Sequence, residues 1–168
     1  ILAVSKTQSV EAIREAYQCG LRAFGENYLQ EALDKIDQLA DLDIEWHFIG
    51  PIQSNKTRPV AEHFNWVHSV DRLKIAQRLS SQRPDNLPAL NICLQINIDD
   101  ENSKSGISVG DAPEVAAEVA KLDNIRLRGL MAIPRPREEF SQQRDPFFRL
   151  HQLLDTLRAQ SVRLAGMD

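Results

Sequence analysis

The stretch Ile92-Cys93-Leu94-Gln95-Ile96 decides the fold class, because it is an almost unbroken apolar run. Two shorter runs of the same kind, Leu2-Ala3-Val4 and Phe48-Ile49, occur earlier in the chain. Strands with this composition are typical of a parallel sheet that helices cover. The three runs therefore predict buried strands of a parallel sheet.

The rest of the chain alternates between such runs and amphipathic helices. Strand-forming runs open near Ile1, Arg22, Glu45, Asn65, Leu90 and Ile125. Helical periodicity covers Val10 to Tyr17, Tyr28 to Ala40, Arg72 to Leu79 and Pro113 to Leu122. This alternation predicts an α/β protein, and units of about 20 to 25 residues favour a (β/α)8 TIM barrel, present here as six or seven units. A doubly wound sheet fits almost as well, but no glycine-rich phosphate fingerprint follows the first strand.

Composition predicts a single domain spanning residues 1–168, since 168 residues with 42% apolar content suit one ordinary core. The net charge of -4, with both signs interspersed, argues against nucleic acid as the main partner. No apolar run approaches the length of a membrane span, which predicts a cytoplasmic protein without a membrane partner. Because Ile1 opens inside an apolar run, we expect a barrel truncated at both ends. Cys19 and Cys93 are predicted to be reduced and buried.

Lys6 is the first candidate for chemistry, because it closes the first predicted strand. In barrels the carboxyl ends of the strands form the active-site face. A lysine held among apolar neighbours and other cations has a lowered pKa, and its neutral amine can attack an aldehyde to form an imine. Lysine also ends strands merely to reach solvent. Position alone leaves both interpretations open.

Two further candidates lie on the next two strands. Asn27 ends the second strand, where its amide could bond a phenolic oxygen or an imine, although capping of the next helix explains it equally well. His47 alternates with Trp46 and Phe48, so it should face the barrel interior, either against a flat ring or as a hydrogen-bonded core histidine.

Two loops are further candidates for ligand sites. The loop from Gly50 to Lys56 precedes a helix, so it suits either an anion or an ordinary capped turn. The acidic loop that begins at Asp99 matches no calcium-binding spacing, which favours a solvated loop and no metal site.

Five motifs in order, covering nearly the whole chain, resemble the pyridoxal 5'-phosphate (PLP) homeostasis protein family, also called the proline synthase co-transcribed homologue family. They are Leu2-Ala3-Val4-Ser5-Lys6-Thr7, Phe24-Gly25-Glu26-Asn27-Tyr28, Trp46-His47-Phe48-Ile49-Gly50-Pro51-Ile52-Gln53-Ser54-Asn55-Lys56, Glu101-Asn102-Ser103-Lys104-Ser105-Gly106 and Arg128-Gly129-Leu130-Met131-Ala132-Ile133.

This resemblance implies a PLP barrel of fold type III, similar to the N-terminal domain of alanine racemase. Lys6 matches the lysine that carries PLP as a Schiff base. Asn27 and His47 match positions near the cofactor, and Met131 ends a strand that lines the pocket. The family's phosphate-binding motifs, Ser-x-Gly-Met-Ser and a later glycine-threonine loop, do not occur in this sequence, so phosphate contacts are not assigned.

Members of the family are thought to bind and deliver PLP and to keep its free level low, without turnover. The resemblance therefore implies PLP homeostasis and no catalytic residues, with apo PLP-dependent enzymes as candidate recipients. An amino-acid racemase is the alternative, but it needs a second proton donor, and neither Tyr17 nor Tyr28 is an obvious one. A regulatory module that mainly binds proteins is a third hypothesis.

Overall fold

The computed structural model describes residues 1–101 and 105–167, where six strands alternate with six α-helices. The strands are β1 (Ala3–Val4), β2 (Ala23–Glu26), β3 (Glu45–Phe48), β4 (Trp66–Val70), β5 (Leu90–Gln95) and β6 (Ile125–Met131). The helices are α1 (Val10–Gln18), α2 (Leu29–Gln38), α3 (Thr57–His63), α4 (Leu73–Gln82), α5 (Ala112–Val119) and α6 (Phe140–Gln160). A 3-10 helix, Ser54–Lys56, leads into α3.

All strands are parallel and form one sheet in the order β1-β2-β3-β4-β5-β6. A doubly wound sheet would instead reverse its strand order at a switch point. Sequential order with crossovers of one hand places the helices on a single face, as in a barrel. The predicted α/β barrel is therefore confirmed, with six of the eight strands of such a barrel in the described residues.

The helix boundaries follow from local sequence signals. Ser9 caps α1 by accepting a hydrogen bond from the Ala12 amide at 3.3 Å, and Gly20 ends the helix with a φ of +99°. A left-handed φ of this kind suits glycine, as expected just beyond a helix. Residues 132–139 have no regular structure, and α6, which follows them, was not predicted. Pro146 inside α6 interrupts the helical signal in the sequence.

The apolar core lies between the outer face of the sheet and the helices, where Phe24 and Phe48 are buried. The opposite, inner face is open, and Val4 is 53% exposed. Cys93 is buried as predicted, whereas the prediction for Cys19 is wrong, because this residue is exposed. It lies six positions after buried Ile13, about 120° away around the helix. Among the described helices, none combines the length and apolarity needed to cross a membrane.

Candidate functional site

The carboxyl edge of the sheet carries three of the four predicted site residues. Lys6 and Asn27 follow β1 and β2, and Met131 is the last residue of β6. Val4 pairs with Gly25, and Lys6 and Asn27 are each two residues further on, in the segments that follow β1 and β2. We call Lys6 and Asn27 the rim pair. Lys6 and Asn27 thus follow neighbouring strands, whereas Met131, opposite Gln95, lies at the other edge of the open sheet.

The Lys6 side chain is exposed. Within residues 1–101 and 105–167 it has no hydrogen bond or ion pair. In the described part of the chain, apolar side chains therefore do not enclose Lys6, because the inner face of the sheet is open beside it. The amine is accessible, and an accessible primary amine can react with an aldehyde when it is neutral.

Asn27 has a side-chain amide without a partner among the described residues. Its Oδ1 is buried and, among the described residues, accepts no hydrogen bond. The alternative that Asn27 caps α2 is wrong, since the N-cap is Tyr28 and no side chain bonds to the helix start. Buried polar atoms normally have partners, and an exception calls for a ligand, a water or another explanation. The amide can therefore serve a polar ligand.

Gly50 fixes the position of Asn27. A Cβ atom at Gly50 would lie 2.2 Å from the Asn27 carbonyl oxygen, far inside contact distance. The Ser69 hydroxyl donates to the Gly50 carbonyl at 2.5 Å, which holds the loop from the other side. The glycine in the Gly50 loop thus lets two neighbouring loops touch through their backbones.

His47 lies one level below the rim pair. Gly25 pairs with His47 in the register, so the imidazole is level with Val4. The ring stacks on Trp66 with a centroid distance of 5.5 Å and an interplanar angle of 8°. Its Nδ1 lies 2.8 Å from Nε2 of His68, and its Nε2 lies 2.9 Å from a Glu45 oxygen. We call Glu45, His47, Trp66 and His68 the inner layer.

Burial keeps both imidazoles neutral at physiological pH. It lowers the pKa of His47, although Glu45 opposes this, and together with the nearby His47 it lowers the pKa of His68 to about 4. An ionised Glu45 only accepts, so a neutral His47 donates to it from Nε2 and accepts at Nδ1 from His68. Both His47 nitrogens are therefore engaged, as expected of a hydrogen-bonded core histidine, and contact of His47 with PLP stays a prediction.

A buried charged cluster beside Lys6 was missed at the sequence level. The Lys35 ammonium reaches Glu26 at 2.8 Å and Glu31 at 2.6 Å, and the Glu26 side chain is 0% exposed. A signal was present, because Lys35 falls three residues after Ala32 and four before Leu39, on the apolar stripe of α2. A lysine on such a stripe indicates a buried ion pair.

The structure departs from the prediction for the acidic loop that begins at Asp99. Asp99 pairs with Arg137 at 2.5 Å, and this guanidinium lowers the pKa of Asp99 to about 2, so a merely solvated carboxylate is wrong here. Residues 102–104 of this loop lie outside the described residues. No cluster of three metal-binding side chains occurs in the described part of the chain.

Two cavities open at the same edge of the sheet. One of about 340 Å³ lies at the carboxyl ends of β3 to β6, and one of about 380 Å³ lies between the loops that follow β2 and β3. Asn27 and Lys56 line the second cavity, whereas Lys6 lines neither. These cavities flank the rim but do not themselves join Lys6 to Asn27.

Comparison with known proteins decides the family. The chain matches the family described as alanine racemase, N-terminal domain, over residues 1–166. The pyridoxal phosphate homeostasis protein of Pseudomonas aeruginosa is 65% identical over 154 residues, which cover 92% of this chain and 67% of that protein. This chain belongs to the pyridoxal phosphate homeostasis protein family. The Escherichia coli K12 member is 59% identical over 99% of this chain and 68% of its own length.

Solved structures agree with this family membership. PipY of Synechococcus elongatus, solved without PLP, superposes with a TM-score of 0.92 at 35% identity, covering 99% of this chain and 77% of that one. The same protein with PLP bound gives a TM-score of 0.88 at the same identity, over 99% of this chain and 78% of PipY. Alanine racemase from Corynebacterium glutamicum shares the fold alone, at 16% identity over 96% of this chain and 46% of its own, with a TM-score of 0.73.

Proposed function

We propose that this protein binds PLP as a Schiff base on Lys6, carries it in the cytoplasm and keeps its free concentration low. The observation that carries the proposal is the rim pair, an exposed amine and an amide with a buried oxygen on the segments after two neighbouring strands, neither of which has a partner among the described residues. Both groups suit a ligand with an aldehyde and a neighbouring hydrogen-bonding group. Relatives named for PLP homeostasis and the PLP-bound PipY structure support the same ligand.

Formation of the Schiff base needs only a neutral amine from the protein. When bound, PLP supplies an aldehyde. The neutral Lys6 amine attacks the aldehyde carbon, a C–N bond forms, and the carbonyl oxygen leaves as water. Addition of water, or of another amine, reverses the step and frees the cofactor. A reversible covalent bond of this kind protects a reactive aldehyde while leaving it transferable.

Asn27 would act as a hydrogen-bonding partner beside the new bond. Its amide offers one acceptor and two donors, which suit an imine or a phenolic oxygen. His47 belongs to the layer below, and Met131 ends the strand at the far edge of the sheet. For these two residues, contact with PLP is proposed from the resemblance alone.

Transfer to an apo-enzyme tests the carrier function. The complete protein would be loaded with PLP, freed of excess by gel filtration and mixed with an apo PLP-dependent enzyme. We expect the enzyme to regain activity and the protein to lose its PLP absorbance. An equal amount of PLP loaded on the apo-enzyme directly gives the reference. Stable loading without any release to the apo-enzyme would contradict the carrier function.

No specific observation favours the racemase alternative. Tyr17 packs under the guanidinium of Arg22, with 3.9 Å from Cζ to the ring centroid, on the helix side of the sheet. Tyr28 is 56% exposed at the start of α2. Chiral analysis of amino acids incubated with the PLP-loaded protein checks this point, and we expect no conversion above a blank that contains PLP alone.

A further inference from the structure

The turn that carries Lys6 is held on both sides by side chains from α2. The Lys35 ammonium donates to the Ser5 carbonyl at 2.7 Å, immediately before Lys6. The Thr7 amide, immediately after Lys6, donates to a Glu31 carboxylate oxygen at 2.6 Å. These two bonds bracket Lys6 without touching its amine. The backbone of Lys6 is therefore fixed while its side chain stays accessible.

Lys35 is the centre of this arrangement. Besides Ser5, its ammonium donates to Glu26 and Glu31, so all three donors are used. The Ser5 hydroxyl donates to the same Glu26 oxygen at 2.6 Å. We call Glu26, Glu31 and Lys35 the clamp. It ties the end of β1 to the end of β2 and to α2.

Stability alone gives a poor reason for the clamp. The side chains of Lys35 and Glu26 are 6% and 0% exposed, and a buried ion pair is often no more stable than apolar residues of equal volume. The second oxygen of Glu26 is also buried and, among the described residues, has no hydrogen-bond partner. The Lys35–Glu26 pair is therefore better explained by its effect on the conformation of the turn that carries Lys6 than by a contribution to stability.

The conformation of the turn needs such a restraint. Thr7 has a φ of +62°, in the left-handed region that disfavours β-branched side chains. A strained backbone of this kind persists only where neighbouring groups hold it. The bond from the Thr7 amide to Glu31 supplies this hold.

We propose that Glu26, Glu31 and Lys35 are positioning residues, which fix the turn from Ser5 to Thr7 so that the Lys6 amine meets the aldehyde carbon of PLP. This inference rests on the proposed Schiff base at Lys6. The clamp acts through the backbone of the turn, so it should govern bond formation and leave non-covalent binding of the cofactor unchanged. Misplacing a reacting group by about 1 Å can cost a hundredfold in rate, and we expect at least a tenfold loss here.

The test separates bond formation from binding in the complete protein. Lys35→Met keeps an unbranched side chain of similar length but removes the ammonium that bonds to Ser5, Glu26 and Glu31. The rate of imine formation is measured from the PLP absorbance, and the adduct at Lys6 from borohydride trapping and peptide mapping. Non-covalent affinity is measured with 4'-deoxypyridoxine 5'-phosphate, which has no aldehyde. Lys121→Met removes an exposed, ion-paired lysine elsewhere and serves as the matched control.

We expect Lys35→Met to form the Lys6 adduct at least tenfold more slowly, with unchanged affinity for the aldehyde-free analogue. Lys121→Met should match the wild type in both measurements. If Lys35→Met fails to fold, the double variant Glu26→Gln/Lys35→Met leaves no unpaired buried charge and should show the same slow step. Wild-type rates in the folded variants, or equal losses of rate and analogue affinity, would overturn the positioning function. A wild-type protein without a Lys6 adduct would instead overturn the proposed Schiff base itself.

Discussion

The rim pair and the inner layer lie on the same face of the same sheet, with His47 at the level of Val4 below the rim pair, yet their polar groups are used differently. In the inner layer, both ring nitrogens of His47 contact protein groups, and the ring itself stacks on Trp66. In the rim pair, Lys6 and the buried oxygen of Asn27 have no partners among the described residues.

This contrast separates polar groups that stabilise the barrel from polar groups that are available to bind a ligand. A buried polar atom without a partner costs folding free energy, so its retention points to function at the rim. The ring nitrogens of His47 in the inner layer already have hydrogen-bond partners within the protein, so they do not need a ligand. The comparison therefore predicts that truncating a side chain of the rim pair affects PLP binding, whereas truncating a bonded polar side chain below it affects stability.

The largest expected effect comes from Gly50→Ala, which would remove the loop contact that holds Asn27. The added Cβ would meet the Asn27 carbonyl oxygen, Cα and carbonyl carbon at 2.2–2.8 Å, and backbone cannot yield as a flexible side chain can. We expect a loss of about 3 kcal/mol in the free energy of unfolding, measured by urea denaturation, and weaker PLP binding.

Gly166→Ala is the matched control for Gly50→Ala. A Cβ there would meet nothing within 4 Å, so stability should change by less than about 0.5 kcal/mol. Equal stability of the two variants would contradict this prediction, because it would show that the Asn27 backbone can move to make room for a Cβ atom at position 50.

A smaller effect is expected from protonation of the inner layer. The pKa of His68 falls from 6.5 to about 4 on folding, so the unfolded state binds more protons between these values. The stabilisation is complete above pH 6.5 and is lost as the pH falls towards 4, amounting to about 2 kcal/mol after allowance for partial exposure. Urea denaturation of the wild type and of His68→Gln across this range measures it.

The control for His68→Gln is His151→Gln, which replaces a histidine that is 64% exposed. This variant should keep the wild-type dependence of stability on pH. If His68→Gln also kept it, the inner layer would not be the source of the acid sensitivity.

The smallest effect on stability is expected at the rim. Asn27→Ala removes an amide whose buried oxygen has no partner among the described residues, so the free energy of unfolding should not fall and should rise by at most about 1 kcal/mol. Affinity for PLP should fall about tenfold, because one hydrogen bond to the ligand is lost. Absorbance titration and urea denaturation measure the two quantities.

Asn91→Ala is the counterpart below the rim. Asn91 accepts a hydrogen bond from Arg128 at 3.2 Å, so the substitution should cost about 1 kcal/mol of stability. Its affinity for PLP should stay unchanged. Loss of stability in Asn27→Ala together with loss of PLP affinity in Asn91→Ala would contradict the assignment of ligand binding to the rim pair and of stabilisation to the level below.

The fold could be predicted from the sequence because it depends on periodicity. Near-continuous apolar strands and one helix per unit identify a covered parallel sheet. The position of Lys6 at the end of β1 followed from the same pattern. Helix α6 escaped prediction because Pro146 interrupts its signal.

The contacts of the site could not be predicted, because they depend on register and burial. Alternation placed His47 on the inner face, but its bonds to Glu45 and His68 depend on how β3 and β4 align. Likewise, the sequence shows Lys35 as a charged residue on the apolar stripe of α2. Its link to Ser5, 30 residues away in sequence, required the fold.

Peptide mapping after borohydride reduction tests the central claim most directly. The complete wild-type protein would be incubated with PLP, reduced, digested and analysed by mass spectrometry, alongside an unreduced sample. We predict a reduced pyridoxyl group on the peptide that contains Lys6, together with loss of the absorbance that PLP shows when bound as an imine. A protein that binds PLP but yields no reducible adduct, or whose adduct maps to a different lysine, would contradict Lys6 as the attachment site.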